Sequence, residues 1–570
     1  MRLQITKSKN AECFYVVKSI YVNKKKSNVV VEKLGNLDVV KHKAGDIDPY
    51  QWAKNYVADL NKKEKEGKLN DISVTFSPSR SIESGKQVNF GGGYLFLQKI
   101  YYLLGLNNIS KTISKRHNFD YDINSILSSL IYTRILSPSS KLSSFEEAKK
   151  YLEKPNFQPH QMYRALDIIA SESDFIQSEL YKNSLSVMKR NTGVLYYDCT
   201  NFFFETEEAK GLRQYGISKE HRPSPIVQLG LFMDADGIPL AFCINGGNTN
   251  EQTTLKPLEK RIISDYGKSK FVVCTDAGLS SLANRKFNNV ADRAFVTTQS
   301  IKQLKSHIKE WALSPDNWTI DGKNKFNLNE IDETLYHDNV FFKERWINEN
   351  GLEQRLIITY SVKYRNYQQN IRCEQISRAQ KLLDKKPQNL GRTKQTDYKR
   401  LISKTAITTD GEIAEKNIYS INEILIEEEC RYDGFYAVCT NLEDDAGDII
   451  KINKKRWEIE ESFRILKTEF KARPVYLSRD NRIKAHFAIC FIALTIYRIL
   501  EKQLDCKYTT DKILNTLKSM NFLYLRGYGY VPTYEKNNLT DALHEISGFR
   551  TDNEIIPLDS MKKIISSTKK

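Results

Sequence analysis

No C-x-x-C pair occurs in this 570-residue chain, and its eight histidines and nine cysteines nowhere fall at zinc-ligand spacing. The cysteines, at positions 13, 199, 243, 274, 373, 430, 439, 490 and 506, are odd in number and scattered, which argues against a disulfide framework and fits a reducing cytosol. The opening residues MRLQITKSKN lack an apolar core, so a secretory leader is not expected. Long apolar runs are missing too. The longest, residues 487–497, has 11 residues, too few to span a bilayer; it reads as a buried helix, and no membrane partner is expected. There is no internal repeat. Negative charge is in short supply, with 70 Asp and Glu against 87 Lys and Arg, a net charge of +17. That excess favours a polyanionic partner, of which nucleic acid is the commonest, although a basic balance alone also suits many proteins that bind none.

What is present is ordinary globular material, 40% apolar and 28% charged. A chain this long outgrows one core, so three or four domains are expected. Residues 1–92 begin as alternating strands, CFYVVKSIYV and SNVVVEKLG, around Lys24, Lys25 and Lys26, and residues 1–70 carry 15 basic against 8 acidic residues. The polar stretch before Gly91, Gly92 and Gly93 reads as a linker, and residues 93–190 turn helical in period.

At Gly193 the texture changes to α/β. GVLYYD is an apolar run ending in Asp198, IVQLGLFMDADGIPLAFCI is two strands joined at Asp234, Ala235, Asp236 and Gly237, a helix follows, and FVVCTD ends in Asp276. The spacing therefore predicts two buried strands that each end in a carboxylate, the place where reactive groups collect in open α/β sheets. A lone Asp at a strand end is usually a turn residue. Two such residues with a third carboxylate would suit a pair of Mg²⁺ ions, which demand hard oxygen ligands.

Residues 301–430 interrupt this unit with strand-like pieces and a basic helix. From 363 to 400 there are 11 basic and 3 acidic residues interleaved with tyrosines, which suits phosphate contact and base stacking as well as it suits a solvated helix face. Lys363, Arg365, Arg372, Arg392 and Lys394 are its candidate DNA contacts. For Trp318 and Trp346 core packing is expected, and His221 and the other histidines read as structural. The α/β pattern resumes in residues 431–500, where INKKRWEIEESFRILKTEF reads as one long helix. Arg456, Glu460 and Lys467, spaced by four and seven, fall on one face of it beside Trp457, Ile459, Phe463 and Leu466. A salt-bridge ladder would account for the charges in isolation. Residues 501–570 read as a C-terminal helical region with a Lys-rich tail.

The stretch KKRWEIEESFRILK resembles the C-terminal signature of insertion-sequence transposases of the Y-R-E-K group, within the DDE transposases. Arg456, Glu460 and Lys467 match it in type and spacing, whereas Asn453 stands where the signature has Tyr. YYDCTNFFFE around Asp198 and VVCTDAGLSS around Asp276 resemble the first and second Asp motifs, and the resemblance covers about residues 190–500.

That resemblance implies an RNase H-like core, a mixed sheet flanked by helices, split into 191–300 and 431–500 by a β-rich insertion at 301–430. It implies Asp198, Asp276 and Glu460 as catalytic residues and ligands of two Mg²⁺ ions, with Mn²⁺ as a substitute, and Arg456 and Lys467 as contacts to the DNA backbone. The expected activity is cut-and-paste transposition of double-stranded DNA, transposon ends and target alike. End recognition is expected within residues 1–190, chiefly in the helical region. A homodimer in the synaptic complex and a cytoplasmic, nucleoid-associated bacterial setting are expected with it. A nuclease without strand transfer and an inactive DNA-binding relative remain open alternatives.

Overall fold

The structure, a computed structural model, describes residues 1–8, 11–22, 25–65, 78–79, 81, 84–385, 397–407 and 416–570. The chain forms two compact units, residues 1–86 and 87–570. The first is an antiparallel sheet of strands Arg2–Ser8, Ala11–Val22 and Lys25–Asn36, followed by helices Leu37–Ala44 and Pro49–Lys65. Its core joins Phe14 and Val16, two apart on the middle strand and so on one face, to Val40, Ala53 and Val57 of the helices.

The second unit is built on an eight-stranded mixed sheet. From one edge the order is Phe341–Glu349, Leu352–Tyr360, Phe435–Thr440, Arg293–Gln299, Phe271–Thr275, Val194–Phe203, Ile226–Asp234 and Pro239–Gly246. The pairs of Phe271–Thr275 with Val194–Phe203 and with Arg293–Gln299 are parallel, and the rest are antiparallel. The expected hairpin is present, and Gly237 takes φ +75° in its turn, a conformation that costs a residue without Cβ little.

Apolar residues alternate along Val194–Phe203 and feed two layers. Leu195, Tyr197 and Cys199 pack with Leu255, Leu258 and Ile262 of helix Leu255–Asp265 on one face. Phe202 and Phe204 lie under the helical layer on the other, in a cluster with Phe463 and the core helix Asp480–Gln503. That helix has 24 residues and is long and apolar enough to cross a membrane, but 94% of its apolar window is buried inside the protein. Helices from 94 to 187 surround it, as the period of that region predicts.

Several expectations need revision. The strand expected to end at Asp198 runs on to Phe203, because residues 199–203 stay paired with Ile226–Asp234; the polar run Asp198, Thr200, Asn201 only resembles a strand end. The segment 452–470 is not one helix. Helix Ala446–Lys454 ends, residues 455–456 form a turn, helix Trp457–Arg464 follows, and the backbone widens to a π turn over Ile465–Glu469. The two halves bury their apolar residues in different clusters, Ile449 and Ile450 with Tyr196 and Cys274, Ile459 and Phe463 with Phe202, so the axis shifts between them. Within 301–430, strands Phe341–Glu349 and Leu352–Tyr360 extend the central sheet, while Ile402–Ile407 and Lys416–Ile421 pair separately. The C-terminal region is not wholly helical: Asn521–Leu525, Gly529–Pro532 and Ile556–Pro557 form a small sheet with Asn89–Gly91. Trp318 is a core residue as expected, but Trp346 is 45% exposed, because it lies on the sheet's edge strand.

Candidate active site

The parallel register pairs Tyr196 with Cys274. Two residues further on, Asp198 and Asp276 follow on the same face, since side chains alternate with period two. Asp198 therefore sits between two apolar clusters, one holding Tyr196, Cys274 and Val296 and the other holding Phe202 and Phe463. The turn at 455–456 and the π turn belong to the segment that links the same two clusters.

Burial pushes the Asp198 carboxyl up to about 6. Lys219 opposes that rise, the Asp276 carboxylate adds to it, and the Cys199 amide and Arg456 oppose it more weakly. The Asp198 Oδ1 accepts from the Cys199 N–H at 2.7 Å. Asp276 caps the short turn Ala277–Leu279, its Oδ1 accepting from the Leu279 N–H at 2.9 Å. This cap fixes the carboxylate just beyond the strand's last residue, Thr275.

Arg456 donates to Thr298 Oγ1 at 2.9 Å, and Thr298 shares a 2.6 Å hydrogen bond with the Tyr436 hydroxyl. Lys467, on the π turn, lies 3.8 Å from Glu220 and 5.8 Å from the Phe202 ring centre. Burial and the nearby Lys219 hold its ammonium below the usual lysine range, partly offset by Asp198. Glu460 is exposed on the first turn of its helix and lines a cleft of about 420 Å³ with Asn453, Arg456, Trp457, Tyr364 and Tyr436. Among the described residues neither Arg456 nor Lys467 pairs with Glu460, so the ladder reading does not describe these charges. The three carboxylates form no group with ligand atoms all within 4.8 Å of one another; among the described residues only Asp541, His544 and Asp552 do. Asp541 and Asp552 are themselves bound by Lys536 and Arg550.

The helix carrying Glu460 is held from behind. Arg498, buried in the core helix, donates to Glu458, to Glu501 at 2.6 Å and to the Gly237 carbonyl at 2.9 Å. One guanidinium thus ties the Glu460 helix, the core helix and the hairpin turn together.

Sequence reasoning missed Lys219. Its Nζ donates to the Cys199 carbonyl at 2.5 Å and lies 3.5 Å from Glu251. No periodic pattern marks a lysine in the loop between two strands; only the fold brings it to Asp198. Asn453 and Trp457 were legible as positions but not as the wall of the Glu460 cleft, where Trp457 is 58% exposed.

The basic candidates of the interrupting segment are engaged within the protein. Lys363 pairs with Asp338 at 3.0 Å, Arg365 with Glu333 at 2.5 Å, and Arg372 with both oxygens of Asp433 at 2.5 Å. Arg392 and Lys394 lie outside the described residues.

The donor set at Asp198 and Asp276 is oxygen only and suits a hard divalent cation. Burial first, and the Asp276 carboxylate to a lesser degree, make the charged form of Asp198 costly, and a divalent cation held there would offset that cost. Asp198 and Asp276 would hold it, and Glu460 would complete the set from the cleft.

Residues 201–496 match the family described as the transposase DDE domain, a match that opens three residues after Asp198 and contains Asp276 and Glu460. No curated protein matches the chain. Among solved structures the chain is similar to a piggyBac transposase synaptic complex with hairpin DNA, at 9% identity and a TM-score of 0.35, covering 83% of this chain and 88% of that one. It is also similar to the Mos1 transposase paired-end complex with left transposon end, at 12% identity and a TM-score of 0.14, covering 41% and 65%.

Proposed function

The chain belongs to the transposase DDE-domain family, and from that premise we propose that it cuts DNA at the ends of a mobile element and joins the freed strand to target DNA, using Asp198, Asp276 and Glu460. The observation that carries this reading is the adjacency of Asp198 and Asp276 on one sheet face, with Lys219, Arg456 and Lys467 converging on Asp198. A mixed sheet flanked by helices, with its carboxylates on one face, supports the RNase H-like core; residues 341–360 add two strands at one edge of that sheet, and Ile402–Ile407 and Lys416–Ile421 form a separate pair.

When bound, Mg²⁺ or Mn²⁺ supplies charge stabilisation at the scissile phosphate and an oxygen nucleophile at neutral pH. The chain's own residues do the rest. Asp198 and Asp276 supply the oxygen donors from a rigid sheet. Lys467 and Lys219 draw a backbone phosphate toward Asp198. Arg456, braced on Thr298, holds the strand between Asp198 and the Glu460 cleft. Trp457 and Tyr364 offer aromatic faces there for an unstacked base. Handling two ends at once calls for a homodimer in the DNA complex.

The test is cleavage and strand joining on labelled DNA carrying the gene's own flanks, with Mg²⁺, comparing wild type with Glu460→Ala. Defined nicks and joined products from wild type, lost in the variant with binding retained, are expected. Nicks without joining would leave a nuclease, and binding without cleavage by wild type would leave a DNA-binding protein. Cleavage that survives in Glu460→Ala would move the third carboxylate to Glu461.

A further inference from the structure

A second cavity, of about 340 Å³, opens where the loop after helix Ile123–Leu136 meets the segment that follows the π turn. It is lined by Arg134, Ser139, Ser140, Lys141, Tyr163, Lys471, Arg473 and His486 with two prolines, Tyr476 and Leu477, and among the described residues no carboxylate lines it. Lys141 is 5% exposed, and among the described residues its Nζ has no hydrogen-bond partner. Arg134 is 3% exposed; it donates to the carbonyls of Phe470, Lys471 and Ser139 at 3.1, 3.4 and 3.2 Å, yet its Nε is unpartnered.

A buried cation without a partner is costly, and the like charge of Arg134 nearby adds to the cost at Lys141. The groups facing Lys141 do not offset this. Burial, with Lys141 and Arg134 nearby, holds His486 well below its usual range, so it is neutral, and burial raises the Cys490 thiol, which is neutral too. Burial first, then Arg134, lowers Lys141 to about 7. Arg473 has its counter-charge in Glu220, outside the cavity lining.

The cavity also contains the start of a helix. Ser140 caps Lys141–Ala148, its Oγ accepting from the Ser143 N–H at 3.2 Å. The first-turn amides of Lys141 and Leu142 have no intrahelical acceptor and carry the positive end of the helix dipole. A helix start, a buried ammonium and a basic segment lining one concavity suit a tetrahedral oxyanion.

We propose that this cavity is a phosphate-binding site, taking one phosphoryl group between Lys141, the Lys141–Ala148 N-terminus and Lys471. The segment that walls it, 471–477, begins four residues after Lys467, the cation beside Asp198. A backbone phosphate of the bound DNA strand is therefore the nearest source, a choice that rests on the transposase reading; free orthophosphate is the other source.

The experiment uses the full chain in two arms. The first follows thermal unfolding with inorganic phosphate against chloride at matched ionic strength. Wild type should gain in Tm with phosphate. At pH 6, below the lowered Lys141 value, Lys141→Met should begin from a higher Tm, having lost an uncompensated charge, and should not respond. The second arm measures duplex DNA affinity against salt; a lost phosphate contact lowers the slope of log K against log salt by about one. Loss of the phosphate response together with a lower slope identifies the DNA backbone as the occupant. Loss of the response with an unchanged slope identifies free phosphate. A wild type indifferent to phosphate, with a slope unmoved by Lys141→Met, overturns the site. Should Lys141→Met not fold, Lys471→Gln, an exposed position, carries both readouts. The first arm contains no DNA, so it stands or falls separately from the transposase reading.

Discussion

Asp198 and Asp276 are neighbours: the parallel register pairs Tyr196 with Cys274, and each carboxylate follows two residues later, Asp276 just past the end of its strand. Asp198 belongs to the middle of a ten-residue strand and Asp276 to the cap just past a five-residue one. The carboxylates differ accordingly. Asp198 is raised to about 6 by burial first, while Asp276 is anchored by the Leu279 N–H.

The raised Asp198 predicts a pH dependence in metal-free protein. A carboxyl whose folded pKa lies above its unfolded value keeps its proton longer when folded, so stability falls as pH rises from about 4 to about 6 and is flat beyond. The full penalty is at most about 3 kcal/mol. Asp198→Asn should therefore raise Tm at pH 7.5, with little effect at pH 4, while abolishing cleavage. Added Mg²⁺ should stabilise wild type and leave the variant unchanged. Denaturation curves with chelator or Mg²⁺ at the two pH values check both points; equal Tm for the two proteins at pH 7.5 would contradict the first.

Arg498 predicts a link between core and catalysis. Arg498→Ala leaves Glu458 and Glu501 without their shared cation and should cost about 3–5 kcal/mol, the usual cost of breaking a buried pair. Glu458→Gln, a milder change, should keep the fold and DNA binding but slow cleavage by about ten-fold or more through looser placement of Glu460. Unchanged cleavage in Glu458→Gln would mean that the helix needs no such brace.

The glycines before the helical region predict a contrast in stability. A Cβ on Gly93 would come within 1.9 Å of the Leu517 carbonyl oxygen, and one on Gly92 within 1.9 Å of the Phe522 ring. Gly93→Ala should cost about 3 kcal/mol or more, since the clash is with backbone. Gly193→Ala, with its nearest atom at 3.7 Å, should change stability by less than about 0.5 kcal/mol. Urea denaturation of the two variants makes the comparison.

The basic segment predicts a division of labour. Arg372→Ala strands Asp433, itself buried, and should lower Tm with little change in the salt dependence of DNA binding. The double change Arg392→Ala with Lys394→Ala should lower the salt slope by about two. The reverse pattern would make Arg372 the DNA contact.

The sequence by itself determined the pieces whose signals are local. Apolar runs marked the strands around Asp198 and Asp276, the Asp-Ala-Asp-Gly turn marked the hairpin, and helical period marked residues 93–190. Residue type and spacing singled out Arg456, Glu460 and Lys467 through the resemblance to the Y-R-E-K signature, which is read along the chain without its fold. Tertiary structure alone decided what depends on distant partners. It carried the Asp198 strand on to Phe203, by pairing it with Ile226–Asp234. It broke the 452–470 segment, because its halves bury into different clusters. It joined Asn89–Gly91 to a sheet more than 400 residues later in the chain, set Lys219 beside Asp198, and left Lys141 buried with no hydrogen-bond partner among the described residues. A chain's periodicity reports which face of an element is apolar; which surface that face meets, and which charges are stranded between them, is settled only when the elements pack.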